Sequence, residues 1–338
     1  MKKVSIVILN WNGEEMLRTF LPSVLFCSVD TEVEVCVADN GSTDGSCRLL
    51  EEEFPTVRLI RLSQNYGFAD GYNMALSEVD AEYVVLLNSD VEVTPNWIKP
   101  LVSFMDLHPE VGACQPKILS HRNREYFEYA GAAGGFIDKL GYPYCRGRIF
   151  EAVESDNGQY DANLSIFWAT GAALFIRKKV YEEVGGLDGR FFAHMEEIDL
   201  CWRLRSRGYA IYCIPSSMVF HVGGATLKKE NPRKTFLNFR NNLLMLYKNL
   251  PEKELKVVMM QRRLLDWLAA AVFFLKGDWD ASRAVVNARR QFNRLRPRFE
   301  ADRLNNLQQT VNHHIPERNV YSILWKHKVM RIKRFSQL

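Results

Sequence analysis

The stretch VSIVILNWNG at residues 4–13 decides how the rest of the chain is interpreted. Its first six residues are apolar apart from Ser5, and Asn10 and Asn12 follow at once. This pattern predicts a buried strand that ends in a polar turn. The apolar run is too short for a signal peptide and has no small-residue cleavage site after it. Continuous apolar strands of this kind are typical of parallel sheets covered by helices.

The same unit recurs along the first ninety residues. Strands are predicted at 4–9, 33–38, 57–61 and 83–87, and helices at 14–26, 44–54 and 68–77. This alternation predicts an α/β domain with a mostly parallel central sheet and helices on both faces. The sequence from 126 to 160 is rich in Gly and Tyr and predicts loops and irregular strands that cover a site. Strand character returns between 163 and 177, around residues 170–173.

After residue 221 the pattern becomes helical. Apolar residues at helical spacing predict two helices: Phe236, Phe239, Leu243, Leu244 and Leu246 in one, and Leu264, Leu265, Leu268, Ala271, Val272 and Leu275 in the other. We therefore predict an α/β domain over residues 1–228 and a helical C-terminal extension over residues 229–338. The longest apolar run is interrupted by Asp266, so we expect no transmembrane helix.

Bulk composition limits the classes of function. The chain has 338 residues, of which 47% are hydrophobic and 25% are charged, which is ordinary for a globular protein. The net charge of +4 is too small to indicate a nucleic-acid-binding protein. The seven cysteines include no CxxC pair, so we expect reduced core thiols in a cytoplasmic protein.

Polar residues follow each of the four predicted strands. They are Asn10 after the first strand, Asp39 to Gly45 after the second, Gln64 to Phe68 after the third, and Asn88-Ser89-Asp90 after the fourth. In open α/β sheets, ligands bind outside the carboxyl ends of the strands. These polar groups therefore predict a ligand site along one edge of the sheet.

Three carboxylates lie within four positions at Glu196, Glu197 and Asp199. Close like charges repel, so a catalytic base, a sugar hydroxyl or a cation would explain them. An exposed acidic first turn of a helix explains them equally well, because the helix dipole favours acids there. If the helix has begun, Asp199 faces away from Glu197 and is spaced to pair with Arg203.

The order of these motifs carries a resemblance to a known family. They are NWN at 10–12, DNGSTDGS at 39–46, NYGFA at 65–69, NSD at 88–90, EEIDL at 196–200, HVGG at 221–224 and RNN at 240–242. Over about residues 4–242 the chain resembles the GT-A glycosyltransferases of family 2, especially a rhamnosyltransferase-like bacterial branch. The resemblance implies a GT-A fold, a nucleoside diphosphate-sugar donor and a divalent cation, Mg²⁺ or Mn²⁺.

The resemblance also implies roles for residues on the donor side. Asp39 would read the imide N–H of uracil or thymine, and Asn10, Asn65 and Gly67 would border the donor. Each has a structural alternative, because Asp39 can cap a helix and Asn65 and Gly67 can form a turn. Asp44 and Ser42 lie nearer the helix start and are better caps than Asp39.

Asn88-Ser89-Asp90 stands where the family carries its Asp-x-Asp motif. Asp90 would bind the metal, whereas Asn88 replaces the first acid and removes one charge. An Asx turn is the alternative for this motif. The resemblance gives His221 either a metal ligand's role or a contact with the diphosphate.

The second acid of the cluster is the catalytic base in the family, and here it is Glu197, where relatives mostly carry Asp. Glu196 would support the acceptor, and Asp199 is interpreted as mainly structural. Trp168 matches a segment beneath the acceptor sugar, and stacking on a sugar and packing in the core are equally favoured for it.

The resemblance, together with the single candidate base, therefore implies an inverting glycosyltransferase of the hexosyltransferase class that acts on a glycan or lipid-linked acceptor in cell-surface polysaccharide synthesis. Alternatives are a catalytically inactive nucleotide-sugar or glycan-binding protein and a sugar-phosphate nucleotidyltransferase, although the latter's Gly-rich basic loop is missing. Basic and apolar residues alternate over 326–335, which fits either peripheral contact with the inner membrane surface or a helix packed on the catalytic domain.

Overall fold

The computed structural model describes residues 1–223 and 231–338. Its N-terminal part alternates strands and helices as predicted: β1 (Lys2–Asn10), α1 (Glu14–Cys27), β2 (Val33–Asp39), α2 (Ser46–Glu53), β3 (Arg58–Arg61), α3 (Gly67–Ser77) and β4 (Ala81–Asn88). The apolar runs of β1 and β4 are buried, because helices cover both faces of the sheet.

The middle of the chain completes this sheet and adds a second, smaller one. Its elements are β5 (Val91–Val93), α4 (Ile98–Leu107), β6 (Val111–Ser120), β7 (Gly135–Ile137), β8 (Pro143–Cys145), β9 (Arg148–Ile149), β10 (Ala152–Val153), β11 (Leu164–Ser165), β12 (Ala173–Arg177), α5 (Lys178–Glu183), α6 (Glu196–Ser206) and β13 (Ala210–His221). Strands β7 to β10 form an antiparallel sheet of their own, which confirms the irregular strands predicted for residues 126–160.

The central sheet has the strand order β11-β13-β6-β12-β4-β1-β2-β3, and β5 pairs with β13. Strands β4, β1, β2 and β3 are parallel to one another, and β13 is parallel to β6. Strand β12 is antiparallel to both of its neighbours, β4 and β6. The predicted strand around residues 170–173 begins only at Ala173, because the backbone N–H of Thr170 donates to the Gln115 side chain at 3.0 Å.

The C-terminal region is helical, as predicted. Its helices are α7 (Pro232–Asn249), α8 (Glu252–Leu275), α9 (Trp279–Leu295), α10 (Glu300–Gln308) and α11 (Ile323–Lys328). None of the helices in the described residues is long and apolar enough to cross a membrane. The predicted domain boundary at 228/229, and Gly224 of the HVGG motif, lie outside the described residues.

Candidate active site

Three neighbouring strands end at the same edge of the central sheet. In the register between β1 and β2, Asn10 lies opposite Asp39, and in the register between β1 and β4, Leu9 lies opposite Asn88. Adjacent strands are about 4.8 Å apart. The strand ends that the sequence singled out therefore lie side by side along the carboxyl edge, with Asn10 between Asp39 and Asn88.

At one end of this edge, Asp39 is buried within a small hydrogen-bonded cluster. Its carboxylate accepts from Asn10 Nδ2 at 3.1 Å and from the backbone N–H of Ser42 at 2.9 Å. The start of α2 is served instead by Asp44, whose Oδ1 accepts from the backbone N–H of Ser46 at 3.0 Å. Asn10 Oδ1 is buried without a hydrogen-bond partner among the described residues. This end therefore combines a fixed carboxylate with an amide oxygen left to bind a ligand.

Asn65 and Gly67 shape the loop that leads into α3. Asn65 Oδ1 accepts from the backbone N–H of Gly67 at 2.8 Å and from Asn40 Nδ2 at 3.2 Å. Gly67 has a φ of +78°, a conformation that favours glycine. Both residues lie near the carboxyl edge of the sheet, and the bonds they make here are those of a turn. Asn12, with a φ of 49°, likewise accepts from the backbone N–H of Thr43.

At the other end of the edge, Asn88, Asp90 and His221 meet. His221 is the last residue of β13 and pairs with Val91 of β5. Its Nε2 lies 3.1 Å from Asp90 Oδ1 and 3.4 Å from Asn88 Nδ2. Its Nδ1 lies 3.5 Å from Glu128 Oε2. The imidazole is thus held between two carboxylates.

These contacts set the charges of the group. Burial disfavours a charged His221, but Asp90 and Glu128 outweigh it and raise the pKa of His221 to about 10. Burial likewise opposes ionisation of Asp90, yet the hydrogen bond from His221 and its charge lower the pKa of Asp90 below the ordinary value. The arrangement is therefore an imidazolium between carboxylates.

The oxygen donors at this end fit a divalent cation that a diphosphate completes. Mg²⁺ is commonly held by one or two carboxylates together with phosphate oxygens. Asp90, with the amide of Asn88 beside it, matches that donor set. No cluster of three or more acidic, His or Cys side chains that could enclose a metal by itself occurs in residues 1–223 or 231–338. Both ring nitrogens of His221 face carboxylates, so in this arrangement neither nitrogen is free to bind a metal or a diphosphate oxygen directly.

Glu196 and Glu197 open helix α6 and face the same cavity as Asn88, Asp90 and His221, which has a volume of about 240 Å³. The Oε2 atom of each glutamate is buried and has no hydrogen-bond partner among the described residues. Buried carboxylate oxygens are nearly always hydrogen-bonded. The two orphaned oxygens therefore indicate a place for a ligand that donates a proton or a hydrogen bond.

Burial raises the pKa of both glutamates, but the other groups that act on each pKa differ. The pKa of Glu196 lies well above its ordinary value, through burial first and then through the charge of Glu197. Burial also raises the pKa of Glu197, but backbone N–H groups of the first turn oppose the shift. Neighbouring acids that share a site separate in this way. Burial and a neighbouring charge thus disfavour the ionised form of Glu196, whereas backbone N–H groups favour the ionised form of Glu197.

Asp199, on the opposite face of the same turn, is fully paired. It accepts from Arg203 Nε at 3.0 Å, from Lys248 Nζ at 2.8 Å and from Asn249 Nδ2 at 2.7 Å. Burial opposes its ionisation, but Lys248 and Arg203 lower the pKa of Asp199. The predicted pairing with Arg203 is confirmed, and the side chain joins α6 to α7 rather than the cavity.

The loop before α6 is strained and clamped. Phe192, His194 and Met195 have φ values of 67°, 70° and 75°, which non-glycine residues rarely adopt. Asn241 Nδ2 lies 2.8–2.9 Å from three carbonyl oxygens of residues 191, 193 and 194. Arg240 also donates to the first of these carbonyls at 2.9 Å. The RNN motif, for which the sequence supplied no role, thus holds the loop that presents the glutamates.

Trp168 does not reach the cavity, which corrects one of the two interpretations left open for it. It is only 3% exposed, and its indole N–H donates to the Phe136 carbonyl at 3.0 Å. Its ring also lies directly against Gly135, where an added Cβ would clash with it. Trp168 is therefore a core residue that joins the two sheets, and stacking on a sugar is excluded in this arrangement.

Sequence reasoning missed Glu128 and Lys234, and it assigned no role to His194. Glu128 lies in the aperiodic region 126–160, and its only signal was an acid between Phe127 and Tyr129. Lys234 and His194 line the cavity with the two glutamates. Burial, with the nearby charge of Lys234, lowers the pKa of His194 to about 4, so the ring is neutral near pH 7.

Solved structures with related folds include one complex with a sugar nucleotide and one complex with UDP. S. aureus TarS residues 1–349 in complex with UDP-GlcNAc matches with a TM-score of 0.57 and 16% identity, over 91% of this chain and 89% of that one. GalNAc-T7 with UDP, GalNAc and Mn²⁺ matches with a TM-score of 0.56 and 16% identity, over 73% of this chain and 48% of that one. The fold is that of the GT-A glycosyltransferases.

Sequence comparison gives the family. The family model "Glycosyl transferase family 2" matches residues 5–185. A Mycobacterium tuberculosis protein named N-acetylglucosaminyl-diphospho-decaprenol L-rhamnosyltransferase is 29% identical over 234 residues, which cover 64% of this chain and 75% of that protein. The chain belongs to glycosyl transferase family 2.

Proposed function

We propose that the protein transfers a sugar from a nucleoside diphosphate-sugar to a hydroxyl of a glycan or lipid-linked acceptor, with inversion at the anomeric carbon, during cell-surface polysaccharide synthesis in the cytoplasm. The observation that carries this proposal is the cavity where two orphaned glutamate oxygens face Asn88, Asp90 and His221. The related rhamnosyltransferase and the UDP-GlcNAc complex of TarS support it.

The donor lies along the carboxyl edge of the sheet, with its base at Asp39. A carboxylate accepts the imide N–H of uracil or thymine, and Asn10, already bonded to Asp39, keeps that carboxylate oriented. Asn65 and Gly67 border the donor through the loop they shape. UDP- and dTDP-sugars are therefore the proposed donors, with rhamnose as one candidate sugar.

The diphosphate lies at the Asn88 end of the edge. Asp90, with Asn88 beside it, would hold a Mg²⁺ or Mn²⁺ ion, which when bound neutralises the charge of the leaving diphosphate. His221 adds a positive charge buried between Asp90 and Glu128. With the cation bound, this end of the edge would be positive where the leaving group develops negative charge.

Glu197 is the proposed general base. It takes the proton of the acceptor hydroxyl while that oxygen bonds to the anomeric carbon and the carbon–oxygen bond to the diphosphate breaks. One base and one displacement invert the anomeric configuration. Glu196 lies beside it and supports the acceptor through a hydrogen bond from its buried carboxyl group.

The strongest alternative is a catalytically inactive protein that binds nucleotide sugars or glycans. A thermal-shift panel of UDP-, dTDP- and GDP-sugars with Mg²⁺, Mn²⁺ or EDTA, followed by NMR of the product with the preferred donor, separates the two. We expect a uridine or thymidine donor to stabilise the protein in a metal-dependent way and to yield an inverted glycoside. Donor binding without turnover on glycan or lipid-linked acceptors would favour the inactive protein.

A further inference from the structure

Helix α8 buries two charged residues together with Val258 and Ala270, and leaves many of its apolar residues exposed. Its inward face carries two charged residues, Arg262 and Asp266, which are 1% and 0% exposed. Its outward face is apolar over most of its length, and this face is named here the α8 face. Its exposed members, which recur every three or four residues, are Val257, Met260, Leu264, Trp267, Leu268, Ala271, Val272, Phe274 and Leu275.

The buried charges hold the helix in this orientation. Arg262 donates to the Leu140 carbonyl at 2.9 Å and to Asn242 Oδ1, and its guanidinium lies 4.2 Å from the centre of the Tyr142 ring. Rotating the helix to bury its apolar face would expose these bonds and break them, and breaking a buried ion network is strongly destabilising. The outward position of the α8 face is therefore a fixed feature of the fold.

Asp266, the acid on this inward face, is also paired. Asp266 Oδ2 accepts from Arg289 of α9 at 2.5 Å, and its other oxygen lies 3.5 Å from Arg262. The network ties α8 to α9, to α7 through Asn242, and to the loop at Leu140 beside the small sheet. The α8 face is thus set at a fixed angle to the catalytic domain.

The face is larger than scattered surface leucines would give. Leu264 is 69% exposed and Trp267 is 50% exposed. Trp279, the first residue of α9, is also exposed, and its ring contacts Phe274 edge to face, which extends the patch past the end of α8. Contiguous exposed apolar patches mark sites of protein or membrane interaction.

The charges around the α8 face favour a membrane over a second copy of the protein as the partner. Exposed cations border it at Lys253, Lys256, Arg263 and Lys276. Between Glu254 and Asp278 the only acid in the sequence is Asp266, which is buried. A two-fold pairing of two copies would bring these cations together, whereas an anionic bilayer matches them. Exposed tryptophans at the boundary are also typical of a membrane interface.

We propose that the α8 face docks in the plane of an anionic lipid bilayer. This inference rests on the proposed function, which it deepens by placing the catalytic cavity at a defined orientation to a membrane that carries a lipid-linked acceptor. The face lies on the surface of the bilayer, as amphipathic interfacial helices do. Because Arg262 fixes the α8 face to the rest of the fold, docking of this face would also fix the orientation of the enzyme on the membrane.

The C-terminal basic segment is a poorer site for such docking. Its Phe335 ring packs on Phe136, Tyr144 and Tyr160 of the catalytic domain, and its Ile323 is buried. Deleting residues after Tyr321 would therefore remove parts of the core together with the basic charges. Point changes on the α8 face are the cleaner test.

The test is flotation of the full-length protein with vesicles of phosphatidylglycerol and phosphatidylcholine, compared with phosphatidylcholine alone. The variants are Leu264→Glu and Leu268→Glu, with Leu107→Glu on α4 as the matched control, because Leu107 is also exposed (78%). We expect the wild type and Leu107→Glu to float with the anionic vesicles. The partition coefficient of each α8 variant onto the anionic vesicles is expected to be roughly tenfold lower. This is the effect of no longer burying one leucine side chain in an apolar phase. Binding is expected to weaken with salt.

Two outcomes would overturn the proposal. One is unchanged flotation of both α8 variants, provided that their thermal unfolding matches the wild type. The other is a wild-type dimer that Leu264→Glu converts to a monomer while vesicle binding is unchanged, which assigns the face to a second copy. Transfer to a water-soluble acceptor is expected to be the same in all three variants. If the wild type transfers no sugar to that acceptor, the proposed function is contradicted, whereas the vesicle result still decides whether the α8 face binds a membrane.

Discussion

The two faces of the first turn of α6 treat buried carboxylates in opposite ways. Asp199 meets Arg203, Lys248 and Asn249, and its pKa is lowered. Glu196 and Glu197 each keep one buried oxygen without a partner, and their pKa values are raised. Asp199 and Glu196 are both buried, so the number of partners separates a structural acid from one that is available for chemistry.

Asp199→Ala is expected to have the largest effect on stability. It leaves Lys248 and Arg203 buried without their shared anion, and loss of one partner from such a pair costs about 3–5 kcal/mol of the free energy of unfolding. Urea denaturation measures this. Glu15→Ala, an exposed acid in the first turn of α1, is the control and should change little. A loss below about 1 kcal/mol for Asp199→Ala would contradict the structural assignment.

Asn241→Leu tests whether the strained loop needs its clamp. The change removes the amide donor of three carbonyls, of which that of Phe191 keeps Arg240 as a donor, and a loss of about 1–3 kcal/mol in the free energy of unfolding is expected. Transfer should fall more than donor binding does, because the loop positions the glutamates and lies away from Asp39. Asn293→Leu, an exposed position on α9, serves as the control. Equal losses of transfer and donor affinity would indicate general unfolding instead.

Glu196→Gln should act in the opposite direction to Asp199→Ala. Burial and the charge of Glu197 disfavour the ionised form of Glu196, so a neutral isostere is expected to raise the free energy of unfolding at pH 7 by on the order of 1 kcal/mol. Transfer should survive within about tenfold, because the base remains. Urea denaturation and initial rates measure the two effects, and a destabilised Glu196→Gln would show that its carboxylate is paired after all.

The pH dependence of these differences sharpens the contrast. The pKa of Asp199 is lowered, so its stabilisation is present above the ordinary value of 3.8 and is lost as pH falls below it. The pKa of Glu196 is raised, so its penalty is absent below 4.5 and grows as pH rises above it. The advantage of Glu196→Gln should therefore vanish in acid, where the advantage of the wild type over Asp199→Ala also shrinks. Unfolding curves from pH 2 to 8 measure both trends.

Much of the fold and the polar carboxyl edge of the sheet can be predicted from the sequence. An apolar run that ends in polar residues predicts a buried parallel strand whose carboxyl end lies at that edge. The partner of Asp199 also follows from helical spacing. The environment of Glu128 could not be predicted, because the apolar residues around it show neither helical nor strand periodicity. Nor could the orientation of Trp168 or of α8. The apolar periodicity of α8 predicted a helix correctly, yet tertiary bonds of Arg262 and Asp266 turned that stripe outward.

The smallest expected effect concerns the metal. Asn88→Asp restores a second carboxylate beside Asp90, and an additional anionic oxygen ligand should lower the Mn²⁺ concentration for half-maximal transfer by several-fold. Titration of Mn²⁺ after EDTA treatment measures the shift. An unchanged requirement would mean that residue 88 lies outside the cation's reach.

The most direct test of the contrast on α6 is Glu197→Gln, examined for donor binding by calorimetry and for sugar transfer in a single turnover. With the base removed and its shape kept, transfer is expected to fall by about 10²–10⁴-fold. Donor affinity should stay within about twofold of the wild type, because Asp39 and Asp90 are untouched. Transfer within about tenfold of the wild type, with donor binding intact, would contradict the assignment of Glu197 as the base.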